Sequence, residues 1–282
     1  MIIDGRKLAT EVLARAKARA ALLAHPPRVL ALVASETPAT KSYLSIKEKR
    51  AADAGCILEV RHIKSSLRPF EIIDMSKGAD AVIVQLPLLS GMNQKEILNA
   101  IPVEKDADVL SSAAREKFES LGRSDFPEFL KSDLPKLLPP VAAAVKKILE
   151  FGKVEVRGKR AVVIGNGWLV GNPCAKWLAQ QGAEVSVLTC KSGSLSEALG
   201  NADIIVSGAG SPLFIKPEML KDGVVLIDAG TSESGGEVVG DADPACAAKC
   251  SLFTPVPGGV GPLAVACLFE NAVTLAEMTI QM

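Results

Sequence analysis

A two-domain α/β fold built on parallel sheets follows from three features of the sequence. Short apolar runs of strand length alternate with helical segments, the pattern of βα units whose strands are covered on both faces. One such run, Ala161 to Ile164, leads directly into Gly165-Asn-Gly-Trp-Leu-Val-Gly171-Asn-Pro173, a strand–turn–helix with three glycines. The 282 residues suffice for two ordinary domains.

The elements can be taken in order. Met1 to Ile3 opens as a short apolar strand, and Asp4 can cap a helix over 6–23, where Leu8, Val12, Leu13, Ala16, Ala20 and Leu23 recur at helical spacing. Pro26-Pro27 ends it, and 28–34 is a buried strand. Thr37-Pro38 reads as an N-cap with proline at the first helical position, and Gly55 as the C-cap. A strand over 57–62, a helix over 69–76, a strand over 81–86 and a helix over 91–100 follow. The stretch 102–138 is charged and polar, and 134–140 reads as a linker to a helix over 141–151. Past the glycine turn come a helix (173–181), a strand (184–189), a helix (194–199), strands at 204–207 and 224–228, a last strand at 251–253 and a closing helix over 263–278. That helix is apolar nearly all round, so it is expected to be buried and to return to the first domain. The division expected is 1–140 with 263–282, and 141–262.

Composition narrows the function classes. Lys+Arg and Asp+Glu balance at 32 each, so no net field attracts nucleic acid or an anionic membrane. The six cysteines, Cys56, Cys174, Cys190, Cys246, Cys250 and Cys267, include no C-x-x-C pair and no ligand-spaced histidine. They read as reduced thiols, with no metal site, and Cys246 and Cys250 as packing residues four apart on a helix. His25 and His62 are isolated and read as surface residues. No secretory segment opens the chain and no run reaches the ~18 apolar residues of a membrane span, so a soluble cytoplasmic protein is expected.

Several places can carry chemistry. A helix that begins at a glycine turn presents backbone N–H groups and a positive dipole end, which suits a pyrophosphate; here the spacing is G-x-G-x-x-x-G. Tyr43 and Lys47 lie four apart on one helix and share a face. A Tyr-x-x-x-Lys pair also marks short-chain dehydrogenases, but there it follows the nucleotide turn, whereas here it precedes it. Gln85 ends an apolar strand, where parallel sheets place ligand-binding groups and where a polar amide is costly unless bonded. Asp106 and Asp108 sit in Lys105-Asp106-Ala107-Asp108, and Asp108 can accept two hydrogen bonds from an amidine-like ring edge. Finally, Thr254-Pro-Val-Pro-Gly-Gly-Val-Gly-Pro262 packs three prolines and three glycines into a constrained loop in which a cis proline is possible.

These strings, in this order, resemble the methylenetetrahydrofolate dehydrogenase/methenyltetrahydrofolate cyclohydrolase family. The likeness takes in Ile3-Asp4-Gly5, Ser42-Tyr43 through Lys47, Val84-Gln85-Leu86-Pro87-Leu88, Lys105-Asp106-Ala107-Asp108, Val163-Ile164-Gly165 through Pro173, Ile227-Asp228-Ala229-Gly230, Val239-Gly240-Asp241 and the 254–262 loop. It implies an N-terminal αβ catalytic domain, a Rossmann-like dinucleotide-binding domain and a folate cleft between them. It implies oxidation of 5,10-methylenetetrahydrofolate with NADP and hydrolysis of the methenyl product to 10-formyltetrahydrofolate, a one-carbon step serving purine biosynthesis, in a homodimer. Tyr43 is then expected to pack on the folate ring, Lys47 to be the catalytic amine tuned by Gln85, and Asp108 to hold the pterin edge. Leu86, Pro87, Pro257, Gly258, Gly259 and Pro262 are expected to border the substrate. Gly165, Asn166, Gly167, Trp168, Gly171, Asn172, Pro173, Cys190, Lys191, Ser192 and Thr231 are expected to bind the dinucleotide. No acid stands near 188–192 to hold an NAD ribose, and Lys191 can meet a 2′-phosphate, which favours NADP with NAD as the alternative. The chain departs from the family at Val109, where glycine is usual, at Leu138-Pro139-Pro140, where Cys-Thr-Pro is common, and at Asn172, where arginine is frequent. Two other readings are a dehydrogenase with weak cyclohydrolase activity and a non-catalytic nucleotide-binding paralogue acting through a partner.

Overall fold

The computed structural model of the chain describes residues 1–35, 37–120, 137–234 and 236–279, with the backbone alone at Pro38, Ala39, Lys41, Ser42, Tyr43 and Ser234. Two compact units form. One comprises Thr10–Pro140 with Val265–Met282, the other Met1–Ala9 with Val141–Ala264. The chain passes from one to the other within its first and last helices and at Pro140.

In the first unit, β1 (Arg28–Val33), β2 (Ile57–His62) and β3 (Ala81–Gln85) make a parallel sheet in the order β2-β1-β3. Helix α1 (Gly5–Ala20) precedes β1 and stops short of the prolines expected to end it. Helix α2 (Pro38–Asp53) joins β1 to β2 and starts as its sequence dictates: the Thr37 hydroxyl accepts from the Thr40 N–H at 3.2 Å, with proline in the first turn. It ends at Gly55, whose φ of +75° takes the left-handed position a helix terminus favours. Helix α3 (Pro69–Met75) joins β2 to β3. Helix α4 (Gln94–Asn99) is shorter than the 91–100 span expected, because Asn93 caps it by accepting the Glu96 N–H. A helix missed from sequence, α5 (Ser112–Ser120), follows. Leu30, Leu32, Ile72, Val82, Val84, Ile97 and Leu110 form the core on one side of the sheet. Part of the linker expected at 134–140 lies outside the described residues, up to 136.

The second unit opens with α6 (Pro140–Phe151) and carries a five-stranded parallel sheet. Its strands are β4 (Arg160–Ile164), β5 (Glu184–Leu188), β6 (Ile204–Ser207), β7 (Val224–Asp228) and β10 (Cys250–Phe253), ordered β10-β7-β6-β4-β5. Helices α7 (Gly171–Gln180) and α8 (Leu195–Asn201) connect β4 to β5 and β5 to β6. A small antiparallel hairpin, β8 (Ser232–Ser234) with β9 (Glu237–Val239), was not legible in the sequence. Cys246 and Cys250 do not share a helix: Cys246 lies in the 3-10 turn Pro244–Ala248 and Cys250 opens β10. Burial pushes both thiols up, to about 11 and about 12, so they pack rather than react.

The N-terminus departs from the division expected. Ile3 N donates to Phe253 O and Phe253 N to Met1 O, each at 2.9 Å, so the opening residues extend the second unit's sheet beside β10. Gly5 N then donates to Gly258 O at 2.9 Å, and a β-carbon at Gly5 would stand 1.8 Å from Gly259 O. Only glycine fits where the first helix begins. The last helix, α9 (Val260–Thr279), is long and apolar enough by length and mean hydropathy to cross a membrane, although Glu270, Asn271 and Glu277 interrupt its apolar run. Most of it is instead buried, including Leu263, Ala266, Cys267, Phe269, Ala272 and Val273.

Candidate active site

The first unit assembles one polar cluster at the carboxyl end of its sheet. Lys47 projects from the third turn of α2 and its Nζ donates to Gln85 Oε1 at 2.9 Å. Gln85 is the last residue of β3, and its Nε2 donates to the Leu86 carbonyl at 2.7 Å. That second bond fixes the amide so that its oxygen faces the lysine. Burial lowers the Lys47 pKa, and the Asp108 carboxylate partly restores it. Asp108 answers in kind: burial pushes its carboxyl up to about 6, with Lys47 and Arg115 pulling it down and Asp106 pushing it up. An amine whose charged form is disfavoured by burial, held in place by an amide acceptor, is suited to accepting a proton.

The turn that presents Asp108 is braced from several sides. Asp106 is fully buried and accepts the N–H groups of Leu110 at 3.0 Å and Ser111 at 2.7 Å. Asn271, on α9, donates to the carbonyls of Ala107 and Leu138, both at 2.9 Å. Arg115 Nε, on α5, donates to the Val109 carbonyl at 2.7 Å. Tyr43 lies on α2 one turn before Lys47, and only its backbone is described. Leu86 and Pro87 follow Gln85 and are joined by a cis peptide bond, with Pro87 exposed.

The second unit carries the glycine turn. Gly165 has φ +93°, and its β-carbon would stand 2.8 Å from Gly208 O. A β-carbon at Gly171 would stand 2.0 Å from Gly165 O, so glycine is required for α7 to start against the turn. Gly167 is different: a β-carbon there would meet nothing within 4 Å. The chain itself does not need that glycine, and the space it leaves is what a closely approaching pyrophosphate uses. The residue before α7, Val170, offers no side-chain cap, and Pro173 in the first turn carries no N–H. Asn166, Gly167 and Trp168 are exposed; Asn172 Nδ2 reaches Asn166 Oδ1 at 3.5 Å. These residues fit a dinucleotide diphosphate.

Past β5, the turn holding Cys190, Lys191 and Ser192 closes on itself. Ser192 Oγ accepts the Thr189 N–H at 3.1 Å, and Lys191 is exposed. Residues 189–194, which follow the strand, include no carboxylate. Thr231 is exposed just beyond β7. In the proline–glycine loop, Val256-Pro257 is cis, as the sequence allowed; Pro257 is exposed, Gly258 and Gly259 are buried, and Pro262 falls within α9.

Two carboxylates in this unit belong to motifs that the sequence singles out without giving them a task. Asp241 is fully buried and accepts Ser207 Oγ at 2.7 Å and the N–H groups of Ala209 and Ser211, each at 2.8 Å. Asp228 accepts the N–H groups of Gly230 and Ala242, and burial pushes it up to about 6. Together they shape the loops after β6 and β7 beside the glycine turn. The steric demand for glycine at 230 and 240, where a β-carbon would strike Asp241 and Asp228, is the signal that marks them. Among the described residues, no group of three His, Cys, Asp or Glu side chains gathers as a metal site requires.

Comparison with known proteins agrees with this geometry. The family model for the tetrahydrofolate dehydrogenase/cyclohydrolase catalytic domain matches residues 3–108, and that for its NAD(P)-binding domain matches 139–280. The bifunctional protein FolD of Methanococcoides burtonii is 32% identical over 289 residues, covering 99% of this chain and 97% of its own. The crystal structure of the bifunctional FolD of Campylobacter jejuni matches with a TM-score of 0.89 at 29% identity, over 99% of both chains. FolD of Trypanosoma brucei, solved with NADP and an inhibitor, matches with a TM-score of 0.90 at 28% identity, over 100% of this chain and 99% of its own.

Proposed function

The chain belongs to the tetrahydrofolate dehydrogenase/cyclohydrolase family, and from that premise we propose the reaction and the residues that carry it. The protein oxidises 5,10-methylenetetrahydrofolate to the 5,10-methenyl cation with NADP and hydrolyses that cation to 10-formyltetrahydrofolate. The observation that carries this reading is the 2.9 Å bond from Lys47 Nζ to Gln85 Oε1, beside Asp108, in a chain that also keeps the glycine turn.

Asp108 takes the pterin edge, where a carboxylate matches paired N–H donors, and Tyr43 supports the ring from one turn earlier on α2. NADP, when bound, supplies the hydride acceptor. The chain's part in that step is orientation: the glycine turn and the N-terminus of α7 hold the diphosphate, and Lys191 meets the 2′-phosphate. In the second step water adds to the methenyl carbon and a proton leaves that water. Lys47, whose ammonium form burial disfavours, accepts it; in the ring opening that follows, the C–N5 bond breaks as the hydroxyl oxygen becomes the formyl carbonyl, its proton passes to N5, and the formyl group stays on N10. The cationic substrate disfavours the ammonium further. NADP is preferred over NAD because no acid stands at the end of β5 to hold a free ribose.

A non-catalytic paralogue would have no need to keep Lys47 desolvated against Gln85, so the enzyme reading is the stronger. We also take the protein to be a cytoplasmic homodimer. The six free thiols support a reducing compartment, and half-exposed Ile57 on the edge strand β2 with Phe70 and Ile73 on α3 supply apolar surface for a second copy. Turnover of methylenetetrahydrofolate, followed by absorbance with NADP and NAD in parallel, tests the assignment. Reduced NADP should appear faster than reduced NAD, with methenyl absorbance that decays faster than in buffer. Dinucleotide binding without turnover would overturn it.

A further inference from the structure

Val109 is a β-branched residue at φ +54°, a region that side chains of its shape avoid. It is 2% exposed and follows Asp108 directly. Something must hold it there. Its N–H is tied to Asp106 O at 3.2 Å, closing the turn from one side. Its carbonyl accepts from Arg115 Nε at 2.7 Å, and Arg115 is itself 3% exposed. On the other flank, the carbonyl of Ala107 accepts from Asn271 at 2.9 Å. Asp108 is therefore bracketed, with the peptide before it held by one buried side chain and the residue after it held by another.

We propose that Arg115 is a positioning residue for folate binding: by holding the Val109 carbonyl it keeps the backbone in the left-handed conformation that aims Asp108 at the pterin. This rests on the assignment of Asp108 to the pterin edge. A turn with glycine at this position would adopt the conformation without strain. With valine there, release of the carbonyl lets φ return to negative values, and the Asp108 side chain swings with it. The guanidinium has a second effect of the same sign, since its charge helps keep Asp108 ionised.

The test is a cycle of Arg115→Gln and Val109→Gly, each alone and together, with Asp108→Asn as reference. The readouts are KM for methylenetetrahydrofolate, kcat, and NADP affinity by fluorescence titration. Arg115→Gln should raise the folate KM about tenfold, equivalent to about 1.4 kcal/mol, while NADP affinity stays unchanged. In the Val109→Gly background the same substitution should cost less than about threefold, because glycine takes the left-handed conformation unaided. An unchanged folate KM in folded Arg115→Gln overturns the proposal. So does an equal penalty with and without Val109→Gly. If Arg115→Gln fails to fold, the double variant decides: recovery of the fold and of folate binding supports the positioning role, and failure to fold overturns it. Full folate affinity in Asp108→Asn would instead refute the assignment of Asp108 itself.

Discussion

Lys47 and Asp108 each hold a charge that their surroundings resist. Burial lowers the lysine and pushes the carboxyl up to about 6. The signs then fix a pH profile. Asp108 ionises as pH rises through about 6, and the neutral fraction of Lys47 also grows with pH, so the cyclohydrolase rate should climb as pH rises through about 6; a flat profile would contradict the pairing. Stability follows the same signs. Above about 6 the buried Asp108 carboxylate is charged, while below it the folded chain binds a proton that the unfolded chain releases down to about 4. Its contribution therefore falls as pH rises from about 4 to about 6. Lys47, depressed in the fold, makes a contribution that rises with pH toward its unfolded value. At this scale much of the site was legible. Gln85 is a polar residue placed where an apolar strand ends, Lys47 shares a helix face with Tyr43, Asp108 closes a charged string, and their motifs resemble a known family. Arg115 was not, because nothing in local spacing announces that a charged residue in a polar helix will be buried against a turn, and Asn271 was not, because the carbonyls it holds lie more than a hundred residues away.

The glycine turn separates a structural from a functional glycine. Gly171→Ala forces a β-carbon to 2.0 Å from Gly165 O, so α7 must shift. It should cost about 1–3 kcal/mol in chemical denaturation as well as NADP affinity. Gly167→Ala meets nothing within 4 Å, so stability should hold within about 0.5 kcal/mol while NADP binding weakens. Equal losses of stability in the two variants would contradict this division. Gly165 and Gly167 both stand in the strand–turn–helix, and only Gly165 has the positive φ that a sharp turn demands. Strands β1, β3, β4, β6 and β7 were legible because parallel strands buried on both faces read as nearly unbroken apolar runs. Helix α5 was hidden by its charges, and the β8–β9 hairpin by its three-residue strands.

At the scale of the molecule, the two units were legible and the place of the first nine residues was not. Ile2 forms a parallel bridge with Phe253, far along the chain, and periodicity carries no information about so distant a partner. Each unit has its own core, so ligands should stabilise them separately. NADP at 100 times its Kd adds about 2.7 kcal/mol to whatever unfolding it opposes. Hydrogen exchange should then slow chiefly across 165–211, and a folate analogue should slow it chiefly across 43–111; uniform slowing along the chain by either ligand would contradict these residue assignments. The central claim is that one chain performs both reactions, the second through a single amine. Its most direct test supplies methenyltetrahydrofolate to Lys47→Met and follows loss of the methenyl absorbance, with circular dichroism to verify the fold. Hydrolysis reduced to the buffer rate in a folded protein is the result predicted; hydrolysis at the rate of the unsubstituted enzyme would contradict it.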